Sequence, residues 1–443
     1  MTGDRSVERL REALRIPTIS RLDESLVEWD EFDRFIHTLQ QLYPLVHASL
    51  EREIVAGHSL LFRWVGRAAD QPVVLMAHYD VVAATDRGWE HPPFEAHLVG
   101  SGDDAIVWGR GTLDDKGSLI ALLEAVEAAL SDGIVPTHDV YLAFGHDEET
   151  SGTGAAAIAA LLQERGIRPL LVLDEGGAVV HGAFPGVSGA TAAVGISEKG
   201  TTLVELIVNQ QGGHSSTPPR LSATARLARA IVRLNGRPFP ARLPEPTKEM
   251  FAALAPHATG GMGWALRSAR LTGPLLVRAL ARGNDETRAM VRTTQAVTIL
   301  EAGQAANALA ERATAIVNLR IAVGSSVAAA VKHLRRAIHD DAVVINVLSA
   351  GEPAPVSPTG GQAWGLLSAT IEAEFPGAIV TPYVQNGATD SRHFTGLSSA
   401  IYRFVPFEMS REERDTLHAM NERIRVSSFL KGIEFYRTLL SAL

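Results

Sequence analysis

The sequence predicts an α/β protein: a mainly parallel sheet flanked by helices, with an α+β domain inserted into it. Three observations carry that expectation. Short apolar runs alternate with helix-periodic segments through the first half of the chain. Near Gly195 the texture changes to alternating apolar and polar residues, which suits a half-exposed antiparallel strand better than a buried parallel one. From about Pro353 the helix–strand alternation returns. At 443 residues the chain is also long for one average domain.

Val73–Ala77 reads as a buried strand. Lys116–Leu130 reads as a helix, with Leu119, Leu122, Leu123, Val126 and Leu130 on one face. Val140–Phe144 is a second strand, Ala155–Arg165 a helix stopped by Gly166, and Leu170–Leu173 a third strand. The first domain is therefore placed at residues 1–196 and resumes at 351–443, closing on a helix from Val426 to Leu443. The insertion, residues 197–350, holds strands at Thr202–Val208, Ala313–Ala322 and Ala342–Leu348. A helix at Val327–Ile338 runs into the polar stop His339-Asp340-Asp341. Its middle, about 237–292, is rich in Pro, Gly and helix formers and reads as a helical elaboration.

Composition narrows the function. Apolar residues make up 46% and charged residues 21%, ordinary for a globular protein with a sizeable core. A net charge of −9 with no basic block argues against nucleic acid and membrane partners. The absence of cysteine excludes disulfides, thiolate zinc sites and cysteine nucleophiles. Any transition metal would be held by His, Asp and Glu. The amino terminus lacks the apolar core of a signal peptide and no segment approaches transmembrane length, so a cytoplasmic location is expected.

Three apolar runs end in side chains that bind metals. They are Leu75-Met76-Ala77-His78-Tyr79-Asp80, Val140–Phe144 followed by Gly145-His146-Asp147-Glu148-Glu149, and Leu171-Val172-Leu173-Asp174-Glu175. Adjacent carboxylates repel and gain nothing from burial unless a cation sits nearby. Ligands of open α/β sheets gather beyond the carboxyl ends of strands, so one rim would receive His78, Asp80, Glu148, Glu149 and Asp174. The loop Gly109-Arg110-Gly111-Thr112-Leu113-Asp114-Asp115-Lys116-Gly117 adds two aspartates just before a helix, where the helix dipole favours carboxylates. One His and several carboxylates exceed what a single tetrahedral zinc needs. Two divalent ions about 3.5–4 Å apart, sharing a carboxylate and a water, would use the surplus, with one carboxylate left free as general base.

These motifs, with Gly212-Gly213-His214-Ser215-Ser216 and Leu417-His418-x-x-Asn421-Glu422-Arg423-Ile424, span most of the chain. They resemble the co-catalytic zinc exopeptidase family of aminoacylase-1, carboxypeptidase G, succinyl-diaminopimelate desuccinylase and carnosinase, and most of all its carboxypeptidase S and N-acyl-amino-acid hydrolase branch. The resemblance implies two metal ions per subunit, expected to be zinc. His78 and Asp174 would hold one, Glu149 and His418 the other, and Asp114, third after the second glycine of Gly-x-Gly, would bridge them. It implies Glu148 as general base and Asp80 as the partner that orients His78. The inserted domain would be a lid and dimerisation domain, so a homodimer is possible. His214 would reach the partner's site, or its own on closure, to stabilise the oxyanion.

Asn307 and Arg320 match the family's substrate-binding asparagine and carboxylate-binding arginine, a role the planar guanidinium suits. Ala310 stands where the family often has Pro. Arg392 lies with Asp390 in a stretch resembling a family substrate loop; a structural Asp–Arg pair there is an equal alternative. His146 and His393 lie near the motifs without an assigned role. The implied reaction is hydrolysis of the amide bond of a small peptide or N-acyl amino acid bearing a free carboxylate. A dipeptidase that also reads the free amine is the alternative enzyme, and a non-catalytic metal-binding relative the alternative from another class.

Overall fold

A computed structural model describes residues 2–182, 184 and 186–443. Its centre is an eight-stranded sheet in the order 51–55, 59–64, 138–145, 68–78, 171–181, 401–409, 190–198, 379–385. The pairings of 68–78 with 138–145 and 171–181, of 401–409 with 171–181, and of 379–385 with 190–198 are parallel. The first two strands and the return through 190–198 are antiparallel. The expected mainly parallel sheet flanked by helices is therefore present.

The inner strands read as continuous apolar runs because helices cover both faces. Val73, Val74, Leu75, Val140, Leu142, Phe144, Leu171 and Val172 are all essentially inaccessible to solvent. One face carries the helices Thr2–Leu14, Lys116–Ser131 and Val426–Ser441 in a single core. The opposite face carries the helix Thr153–Glu164, whose following Gly166 takes a φ of 71° to end it.

Residues 200–350 contribute a separate four-stranded antiparallel sheet, in the order 294–302, 312–321, 200–209, 344–350. The helices Ala223–Asn235 and Val327–Ile338 cover one of its faces and close a core of their own. The helical elaboration appears as Glu245–Leu254, Gly260–Arg267, Ala269–Leu280 and Asp285–Met290. Among the described residues its core is separate from that sheet's. Met250, Phe251, Leu254 and Leu266 bury against Ile379 and Tyr383 of the edge strand of the main sheet.

Candidate metal centre

The strand Ala68–His78 ends by delivering His78, which is buried. Its Nε2 lies 3.0 Å from Asp114 Oδ1 and 3.7 Å from Glu175 Oε1, and its Nδ1 lies 3.2 Å from Asp80 Oδ1. Asp80 is buried as well, and its carboxylate does more than face the imidazole. It accepts the backbone N–H groups of Glu148 and Glu149, each at 3.1 Å, and the Ser20 hydroxyl at 2.6 Å. One side chain thus orients both the histidine and the turn that carries the paired glutamates.

On the other side of Asp114, His418 Nε2 lies 2.9 Å from Asp114 Oδ2 and 3.0 Å from Glu149 Oε2. Two groups able to hold a cation result: His78, Asp114 and Glu175, and Asp114, Glu149 and His418. They meet at Asp114, with one of its oxygens facing each histidine. Asp115 is turned away; its Oδ2 accepts the His78 N–H at 3.4 Å.

Asp174, expected to hold a metal with His78, is in neither of these two groups among the described residues. Its Oδ2 accepts the N–H of Ser391 at 2.7 Å, and Glu175 stands beside His78 in its place. The backbone supplies the reason. The strand does not stop at Leu173 but runs from Leu171 to His181. Opposite it, Arg403 pairs with Asp174 and the next residue, Phe404, pairs with Gly177, so Glu175 and Gly176 bulge out of the ladder. Gly176 has a φ of 137°, and a Cβ there would lie 2.9 Å from Arg403 Cβ. Bulges of this kind re-aim a side chain. The Asp-Glu-Gly-Gly run was its available signal.

Glu148 belongs to neither group. Its nearest cation is Arg392, whose Nη1 lies 3.9 Å from Glu148 Oε1. Burial raises the Glu148, Glu149 and Glu175 carboxyls above the ordinary range, and the neighbouring carboxylates add to the rise. Burial pushes Asp114 the same way, but hydrogen bonds from His418 and His78 outweigh it and hold it low. The same contacts push His418 up to about 10. So many buried carboxylates around two histidines are what a pair of divalent cations would neutralise. Glu149 Oε1, buried and without a partner, offers a further donor. Imidazole and carboxylate oxygens suit zinc, manganese or cobalt, so the residues fit such ions.

Arg320 extends from the inserted sheet, donating to Thr201 Oγ1 at 2.7 Å. Burial and the nearby Arg392 lower its pKa, while Glu148 and Glu198 act the other way. The structure therefore brings Arg320, Arg392 and Glu148 into one electrostatic neighbourhood. Arg392 donates to Thr389 O and Ser151 O. Asp390 is buried beside Gly145 and Gly152, where added Cβ atoms would come within 2.4 and 2.5 Å of its carboxylate. Burial raises its pKa, and no hydrogen bond reaches its oxygens. It forms no hydrogen-bonded pair with Arg392.

His214 and Asn307 stand together elsewhere. Ser215 N–H donates to Asn307 O at 3.1 Å, His214 pairs with Ala308 as an isolated bridge, and His214 Nδ1 lies 2.8 Å from Ser216 Oγ. Both residues are exposed. Among the described residues, no hydrogen bond or ion pair links them to the carboxylate cluster. His146 Nδ1 lies 2.7 Å from the buried Ser59 Oγ, a packing role. His393 is held low, to about 4, chiefly by burial and then by Arg392.

Residues 74–442 match the model of Peptidase family M20/M25/M40. The chain belongs to this family. It is 38% identical to the human N-fatty-acyl-amino acid synthase/hydrolase PM20D1 over 98% of its own length and 86% of that protein's. It is equally 38% identical to a probable carboxypeptidase S-like protein of Dictyostelium discoideum, over 98% and 84% of the two chains. Among solved structures, an M20 family metallo-carboxypeptidase from Sulfolobus solfataricus superposes with a TM-score of 0.70 at 19% identity, covering 98% of each chain. The chain is accordingly an amide hydrolase of the metallopeptidase kind.

Proposed function

We propose that this protein hydrolyses N-acyl amino acids, or short peptides with a free α-carboxylate, at a two-zinc centre. The observation that carries this reading is the sharing of Asp114 between two ligand groups, with Glu148 beside them and in neither. When bound, the metal pair polarises the scissile carbonyl and supplies hydroxide at neutral pH. Glu148 takes the proton of the attacking water on its carboxylate and hands it to the leaving nitrogen; burial, which raises its pKa, suits it to both transfers. Asp80 keeps His78 and the Glu148–Glu149 turn in register.

Arg320 is proposed to pair with the substrate carboxylate, supported by its position near Glu148 and Arg392. The imidazole of His214 would donate to the oxyanion. Its distance in contacts from the cluster is the reason closure of the inserted sheet, or a second copy of the chain, forms part of the proposal. Asn307, beside it, would contact substrate on the same movement. The names of the relatives favour an apolar N-acyl group. A homodimer and a cytoplasmic location complete the reading.

The test is a chelator-controlled hydrolysis screen of N-acyl amino acids, their carboxamide derivatives, free dipeptides and N-acetylated dipeptides, with metal analysis of the purified protein. Turnover of the N-acylated acids, loss on capping the carboxylate, and two zinc ions per chain are expected. Preference for free dipeptides over N-acetylated ones would replace this reading with a dipeptidase.

A further inference from the structure

We propose that Glu422 is a positioning residue of the metal centre, whose buried carboxylate locks the loop carrying Asp114 to the loop carrying His418. The inference rests on Asp114 and His418 being metal ligands. Glu422 is fully buried. Its Oε1 accepts the backbone N–H groups of Gly111, Leu113 and Asp114 at 3.1, 2.8 and 3.3 Å, and the Thr112 hydroxyl approaches at 3.4 Å. Its Oε2 accepts Arg110 Nη1 at 2.5 Å.

The lacing runs in both directions. Arg110 Nη2 donates to the carbonyl of Ala419, the residue after His418, at 3.1 Å, and Gly109 N–H donates to Glu422 O at 2.9 Å. Immediately beyond, Arg423 pairs with Trp108 in a short antiparallel ladder. Segments more than 300 residues apart in sequence thus converge on one side chain. The shared carboxylate Asp114 and the histidine that faces it, His418, lie on the two segments so joined.

The chemistry explains why the residue is a glutamate. An ionised carboxylate is acceptor-only, with about four lone-pair sites, and here donors approach from both sides. An amide of the same shape would have to turn an NH2 group either on the backbone N–H groups or on the guanidinium. A buried carboxylate is costly unless paired and hydrogen-bonded, and Arg110 with the three N–H groups offsets that cost. The Asp114 N–H is one of the bonds, so the clamp acts on the residue that both ligand groups share.

The experiment is titration of Zn2+ into the metal-free parent, Glu422→Gln and Arg110→Lys, in competition with a chromophoric chelator. Thermal unfolding of each metal-free protein is followed in parallel. Outer partners of metal ligands typically carry about 10–100-fold in metal affinity. Glu422→Gln should lose zinc affinity by about that factor at temperatures where it is folded, with turnover recovering toward the parent value at saturating zinc. Arg110→Lys keeps the charge but loses the fork that also reaches Ala419, and should lose less. Unchanged zinc affinity in folded Glu422→Gln, with only a lower melting temperature, overturns the inference. If Glu422→Gln does not fold, unchanged affinity in Arg110→Lys overturns it. A parent that binds no zinc overturns the metal-centre reading itself, which separates the two failures.

Discussion

At the rim of the main sheet, His78, Asp80, Asp174 and Glu422 are buried and held by partners from other segments of the chain. At the open end of the inserted sheet, His214 and Asn307 are exposed, and among the described residues their hydrogen bonds stay within residues 213–217 and 305–309. The rim is preorganised: in a low-dielectric surrounding an unpaired polar group is costly, so each is fixed by its neighbours. The free end, being exposed, carries no such penalty. A centre that must keep metals and a proton acceptor in fixed geometry needs the first arrangement. A group that engages substrate only on closure suits the second.

Five substitutions test that contrast. The largest effect is expected from Glu148→Gln, which should lower kcat by about 10³-fold or more, within the usual range for a general base, while metal analysis still finds the parental zinc content. Equal loss of metal would make Glu148 a ligand and erase its separation from the two groups. His214→Ala comes next, with kcat lower by about 10²-fold, as for loss of one oxyanion donor, and zinc affinity untouched. A fall in zinc affinity there would show that the two regions are not independent.

A pair of substitutions divides the rim itself. Glu175→Gln should weaken zinc binding by more than about 100-fold, beyond the cost typical of outer partners. Asp174→Asn should leave zinc stoichiometry intact and act on the Ser391 loop that Asp174 holds. The reverse pattern, read by chelator competition, would make Asp174 the ligand, as the family resemblance implies.

The smallest effect concerns His393, whose pKa lies near 4 in the folded protein against an ordinary 6.5. The unfolded chain takes up its proton first as pH falls. The neutral imidazole's contribution to stability is therefore full above about pH 6.5 and lost progressively down to about pH 4. Partial solvent contact keeps the effect modest. His393→Gln should flatten the fall in melting temperature over that interval, and an identical pH profile would discount it.

Much of the rim was legible because its residue types and spacing follow from local chain physics. An apolar strand followed by His-x-Asp, or by two glutamates, marks a buried strand that ends in side chains able to hold a cation, and Gly-x-Gly before two aspartates marks a tight loop at a helix start. Helix limits such as Val327–Ile338 were readable from period and polar stop alone. The helical elaboration was visible as helices, yet nothing in its own pattern shows that Met250 and Phe251 bury against the edge strand of the main sheet.

The sequence by itself determined which side chains are available: two histidines and six acidic residues after apolar strands, a glycine loop with two aspartates, and a late histidine. Tertiary structure decided which of neighbouring carboxylates faces the cluster. Period-2 alternation predicts opposite faces for Asp174 and Glu175 but not which face is used, and the bulge at Gly176 depends on pairing with a strand more than 200 residues later. The clamp at Glu422 was equally hidden, because its donors are backbone N–H groups, which every residue other than proline carries and no motif records.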